Sequence, residues 1–161
     1  MPEPPVVNAS PLIVLARAGV FDMLRVAGDR LLVPAAVAGE IRRRGPADPT
    51  VQAMNQADWL TVVDDPPIPL SILAWDLGPG ESAVLAWAHA NPGTEVICDD
   101  QAARRCAATL GIPVRGSLAL VLGARQRGIV DRARPLLERL RRAGMYLSDE
   151  VIERALKKIG E

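Results

Sequence analysis

The sequence predicts an α/β fold, three layers α/β/α, in which a five-stranded parallel sheet is covered by helices on both faces. Two observations carry this. Five short apolar runs alternate along the chain with segments whose apolar residues recur at helical spacing. The 161 residues, 49% of them hydrophobic, suffice for one domain with a proper core. With no internal repeat, low-complexity segment or linker, residues 1–161 read as a single domain.

In order, Val6-Val7 is the first strand, ending in Asn8-Ala9-Ser10-Pro11. Ser10 is a favourable N-cap and Pro11 a favourable first helical residue. Leu12, Leu15 and Ala16 continue that helix until Gly19 stops it. Phe21 to Val26 reads as a second short helix, and Leu31-Leu32-Val33 as the second strand. Pro34 opens a helix whose Val37 and Ile41 face the core. Arg42 to Pro49 is a polar loop, Val51 to Ala57 a short helix, and Trp59 to Val63 the third strand. The stretch DDPPIP, 64–69, cannot be regular structure. Leu77-Gly78-Pro79-Gly80-Glu81 turns sharply into a helix that buries Ala83, Val84, Trp87 and Ala88. Val96-Ile97-Cys98 is the fourth strand. It runs into Asp99 and Asp100, and then into a helix with Ala103, Cys106, Ala107 and Leu110 on one face. Ile112-Pro113-Val114 is the fifth strand. Ser117 caps the next helix, Asp131 opens another around Leu136, Leu137 and Leu140, and Ser148 caps a last one over Asp149 to Ile159.

Composition narrows the function. Aromatics are 3%, which argues against extended base-stacking platforms. Formal charge is zero overall but uneven. Residues 1–95 hold 6 Arg against 11 acids, a net of −5, and residues 96–161 hold 13 Lys or Arg against 8 acids, a net of +5. An acidic pocket beside a basic surface suits a nucleic-acid substrate; solvated helix faces explain the same charges equally well. Cys98 and Cys106 read as small hydrophobes, without zinc-site spacing. His89 is the only histidine, which excludes a histidine-rich metal site. No apolar run reaches the roughly 18 residues of a membrane span, and MPEPPVVNAS lacks the basic and apolar regions of a signal sequence. A cytoplasmic protein is expected.

The chemistry is concentrated in a few acids. Ligands of open parallel sheets bind outside the carboxyl ends of the strands, where Asp99 and Asp100 fall. One carboxylate there can cap a helix. A second, beside a like charge, needs a further reason, and a divalent cation supplies one. Asn8 holds the equivalent place after the first strand, where its bland reading is a turn residue. Glu40 borders a buried helical face, with Arg44 at i+4 as its candidate ion-pair partner. Glu81 sits in a first helical turn, where a carboxylate suits the helix dipole.

The pieces VVNASPLIVLARAGVFDML, LLVPAAVAGEI, LGPGESAVLAWA, CDDQAARRCAATLGIPVRG and AGMYLSDEVIERAL, in this order and spacing, resemble the PIN domain family over nearly the whole chain. The closest likeness is to a PIN-like subfamily, many of whose members are held to be toxins of VapC-like toxin–antitoxin pairs. The resemblance implies a five-stranded parallel sheet and acids gathered around Mg²⁺ or Mn²⁺ to cleave RNA. Glu40, Glu81 and Asp99 match the acidic positions, with Asp100 as the substitute for Asp99 if the alignment slips by one. Ser10 matches the supporting hydroxyl residue, and Ser117 is a second hydroxyl residue expected to support the site. Asn8 stands where typical active members carry Asp. An amide oxygen ligates Mg²⁺ without bringing charge, so this departure weakens the expected site. Implied partners are RNA, a small antitoxin protein and a second copy of the chain, with the helices around Leu15, Phe21 and Trp59 as the dimer surface; no membrane is involved.

On this reading Asn8, Glu40, Glu81 and Asp99 or Asp100 hold one or two Mg²⁺ or Mn²⁺ ions, and Arg104, Arg105 and Arg115 contact RNA phosphates. Divalent ions neutralise charge on a scissile phosphate and acidify bound water. The main rival is a non-cleaving PIN-like module that binds RNA or a partner, for which Asn8 is the best evidence. A phosphoacceptor receiver domain is disfavoured, because the first strand ends in Asn8 and the only lysines are Lys157 and Lys158 in the final helix. A nucleotide-binding α/β domain lacks its glycine motifs.

Overall fold

Five strands, β1 (Val6–Val7), β2 (Leu31–Pro34), β3 (Leu60–Val63), β4 (Val96–Ile97) and β5 (Val114–Arg115), form one parallel sheet in the order β3-β2-β1-β4-β5 in a computed structural model describing residues 2–161. Val6 pairs with both Leu32 and Val96, so β1 is central. The chain builds outward through β2 and β3, then returns to the other side of β1 for β4 and β5. This reversal makes a topological switch point between β1 and β4, where parallel sheets open a crevice at their carboxyl ends. Asn8 and Asp99 follow those two strands and flank it.

Nine helices are present among the described residues besides a 3₁₀ helix at Phe21–Val26. They are α1 (Ala9–Arg17), α2 (Ala35–Arg42), α3 (Pro49–Gln56), α4 (Leu70–Leu73), α5 (Pro79–Ala90), α6 (Gln101–Thr109), α7 (Ser117–Gln126), α8 (Arg134–Arg142) and α9 (Asp149–Lys158). β1, β2 and β4 are buried along their whole length, as expected of strands covered on both faces. Leu12 and Leu15 of α1, Val37 and Ile41 of α2, and Ala103, Cys106 and Ala107 of α6 enter the core at the expected positions. No helix among the described residues is long and apolar enough to cross a membrane.

Several local expectations fail for identifiable reasons. Helix α1 begins at Ala9, directly after the strand, so Ser10 lies inside its first turn and Asn8 takes the N-cap place without a side-chain cap bond. The helix after β5 likewise starts at Ser117, with Gly116 as its N-cap. Asp131 does not open α8. That helix starts at Arg134, and its N-terminal N–H groups donate to Glu161, from Ala133 N at 2.7 Å and Arg134 N at 2.8 Å. Pro49 is not loop but the first residue of α3, which Asp48 caps by accepting from Thr50 N at 2.8 Å. Leu15 is wholly buried and cannot serve a dimer surface. Trp59 packs on Phe21, with the Arg25 guanidinium over its ring.

Candidate functional site

The crevice is built where α2 packs on α5 beside the end of β1. Its closest point is Gly80. A Cβ there would sit 3.2 Å from Glu40 Oε2, 3.3 Å from Asn8 Oδ1 and 3.4 Å from Val37 Cγ2. The absent side chain thus lets a carboxylate from α2 and an amide oxygen from β1 converge over bare backbone. The Gly78-Pro79-Gly80 turn fixes how α5 enters, with Pro79 as its first residue.

Asn8 is 1% exposed. Its Nδ2 donates to Cys98 Sγ at 3.5 Å, which sets the direction of the amide. Its Oδ1 has no hydrogen-bond partner among the described residues. Burial pushes the Cys98 thiol up to about 11, although hydrogen bonds involving the Asp100 backbone and Asn8 oppose the rise. Cys98 is therefore a neutral, inert neighbour at physiological pH.

Glu40 is exposed, and no ion pair among the described residues involves it. Arg44, its expected partner, pairs with Asp48 at 3.0 Å instead. Glu81 folds back over the N-cap of its own helix. Its Oε2 would lie 2.6 Å from a Cβ on Gly78.

The two acids after β4 separate in role. Asp99 Oδ1 accepts from Ser117 N and Oδ2 from Ser117 Oγ, both at 2.7 Å. Asp99 thereby ties the end of β4 to the start of α7. Asp100 Oδ2 accepts from Ala103 N at 2.8 Å as the N-cap of α6, the bland role open to either acid. Ser117 is fully buried beneath this contact. Ser10 has a buried hydroxyl without a partner in the protein.

Of the three arginines expected to face RNA, Arg115 is already committed. It forms a two-pronged pair with Glu95 at 2.9 and 2.8 Å. Arg104 and Arg105 are exposed and form no ion pair among the described residues. Arg104 Nη1 would lie 2.9 Å from a Cβ on Gly116, and Asp99 Oδ1 2.7 Å from the same point. No sequence signal singled out Gly116, nor Arg17 and Tyr146 further along the same wall. Gly80 was visible only as a residue shaping the helix entry.

No group of three or more His, Cys, Asp or Glu side chains that could hold a metal ion occurs among the described residues. The expected set of three acids, Glu40, Glu81 and Asp99 or Asp100, does not form such a group among the described residues. What converges is one carboxylate, Glu40, and one neutral oxygen, Asn8 Oδ1. Mg²⁺ keeps several waters and takes one or two carboxylates plus substrate phosphate oxygens. The Asn8–Glu40 pair fits such a loosely held, water-rich ion and does not fit a cage made of protein alone.

A parallel sheet in this order, with oxygen atoms gathered at its switch point, belongs to the α/β proteins that work at their strand ends. A family model described as PIN domain matches residues 4–161, and the chain belongs to this PIN domain family. Membership suggests a nuclease-like function. Neither the curated proteins nor the solved structures contain a match to the chain.

Proposed function

We propose that the chain is a weak ribonuclease that depends on Mg²⁺ or Mn²⁺ and engages RNA at the crevice over Gly80. The observation that carries this is the approach of Glu40 Oε2 and the unpartnered Asn8 Oδ1 to one point beside the buried backbone of Gly80. A buried acceptor with no partner costs about 1–3 kcal/mol, and here it faces the same glycine as the Glu40 carboxylate. Glu40 and Asn8 are the residues to hold the ion; once bound, it supplies charge neutralisation at phosphate and a more acidic water. Glu81, one residue along from Gly80, is within a side-chain swing of the crevice. Asp99 and Ser117 keep the crevice's far wall in place.

Asn8 supports the qualifier "weak". It leaves the converging pair with a single negative charge, where a carboxylate at position 8 would give two. In an assay of single-stranded RNA with Mn²⁺, the chain cleaves slowly and Asn8→Asp cleaves at least tenfold faster. Cleavage by neither form, with both folded, overturns the ribonuclease reading and leaves a non-cleaving PIN module. The finer readings, a toxin neutralised by a small antitoxin and a homodimer, draw their support from the family likeness.

A further inference from the structure

Beside Asp99 lies a second feature, a cavity of about 760 Å³ between α1, the start of α7 and the segment joining α8 to α9. Its walls are largely apolar, from Ile13, Leu118, Met145 and Leu147. Two guanidinium groups, Arg17 and Arg104, line it as well. Neither is in an ion pair among the described residues. Each lies against a glycine. Arg17 Nη1 would be 3.7 Å from a Cβ on Gly144, and Arg104 Nη1 2.9 Å from one on Gly116. The partnerless Ser10 hydroxyl belongs to the same lining. Tyr146, the only tyrosine of the chain, stands at this cavity 92% exposed.

An apolar slot with two uncompensated cations asks for a ligand that is flat and apolar at one end and anionic at the other. We infer that this cavity receives one nucleotide of the RNA strand, its base between the apolar walls and Tyr146, its phosphate between Arg17 and Arg104. The inference rests on the RNA-directed reading above and adds where the strand runs beyond the crevice. The volume lies within the range of small-ligand pockets, about 300–1,000 Å³. Asp99 shares the wall, but Ser117 donates to both its oxygens, and Arg104 approaches the same glycine. A protein segment is the competing occupant. An apolar one leaves both arginines unmatched.

The test uses the full chain in EDTA, so that binding is read without cleavage. A single-stranded RNA carrying 4-thiouridine is titrated by fluorescence anisotropy and then photocrosslinked. Crosslinks are expected at Met145–Leu147. Tyr146→Ala weakens binding about tenfold, the scale of losing one stacked base, and Tyr146→Phe preserves it. Arg17→Ala weakens binding and lowers the salt slope by about one phosphate contact. Tyr146 and Arg17 are exposed, so these variants fold. RNA binding that ignores both alanine variants, with crosslinks elsewhere, overturns the nucleotide site and leaves the RNA reading standing. No RNA binding by the unaltered chain overturns the nucleotide site, and the Mn²⁺ cleavage assay decides the ribonuclease reading separately.

Discussion

At the scale of single residues, the crevice is held in an uncomfortable state. Asn8 buries an oxygen that accepts nothing, and Glu40 brings its charge to the same point of Gly80. Replacing Asn8 by Asp puts a second charge into a buried place, where desolvation and a like charge both oppose ionisation. Asn8→Asp is therefore expected to lose about 1–3 kcal/mol in urea unfolding without divalent ions, and to regain it in Mn²⁺. Across the crevice, Ser117→Ala removes one donor from Asp99 but keeps the backbone N–H. A loss of about 1–2 kcal/mol is expected, read from the same unfolding curves. Gly116→Ala tests the packing there. Gly116 has φ −97, which alanine adopts freely, so any loss is steric, from a Cβ placed 2.7 Å from the doubly bonded Asp99. The expected cost is about 1–3 kcal/mol. These residues were only partly legible beforehand. A run of two aspartates announces a site but cannot say which one caps the helix. That depends on Ser117, eighteen positions away.

Among the elements, legibility follows where the caps come from. Helices that carry their own start signals were readable, as with Ser148 before α9, which accepts from Val151 N at 3.1 Å, and Pro79 in α5. Helices capped from far away were not. Asp65 reaches back to accept from Ala36 N at 3.0 Å at the head of α2, though the sequence marks it only as part of the irregular stretch 64–69. Glu161 does the same for α8, displacing the nearer Asp131 that the sequence favoured. Burial raises the Glu161 carboxyl, but the hydrogen bonds from Ala133 and Arg134 and the charges of Arg132 and Arg125 outweigh it and leave it below the ordinary value of 4.5. A lowered carboxyl contributes stability that is complete above the ordinary value and disappears as pH falls through the lowered one. Glu161→Gln should therefore lower Tm at pH 7, and the difference from the unaltered chain should shrink to nothing in strong acid. A difference that persists unchanged at low pH would show that the carboxylate's charge contributes none of it.

For the whole molecule, the five-stranded parallel sheet covered on both faces was the firmest expectation, and the reason is physical. Apolar runs this short, separated by helical segments, can be satisfied only by a parallel sheet covered on both faces, and the switch point follows from the order β3-β2-β1-β4-β5. The crevice's position was thus readable, while its contents were not, because side chains on three separate elements decide them. The core offers a check at this scale. Cys98 and Cys106 are both wholly buried and unpaired, so thiol labelling should require opening of the sheet and its covering helices. Labelling rates at pH 8 are expected to rise only as urea approaches the unfolding midpoint. Rapid labelling in buffer would mean that β4 and α6 are loosely held.

The account depends on Asn8 and Glu40 sharing one cation across bare backbone at Gly80. Titration calorimetry with Mn²⁺ on the unaltered chain, Asn8→Asp and Glu40→Gln reads this without relying on cleavage. Weak binding by the unaltered chain, at least tenfold tighter binding by Asn8→Asp and no binding by Glu40→Gln is the predicted pattern. Equal affinity in all three would contradict it.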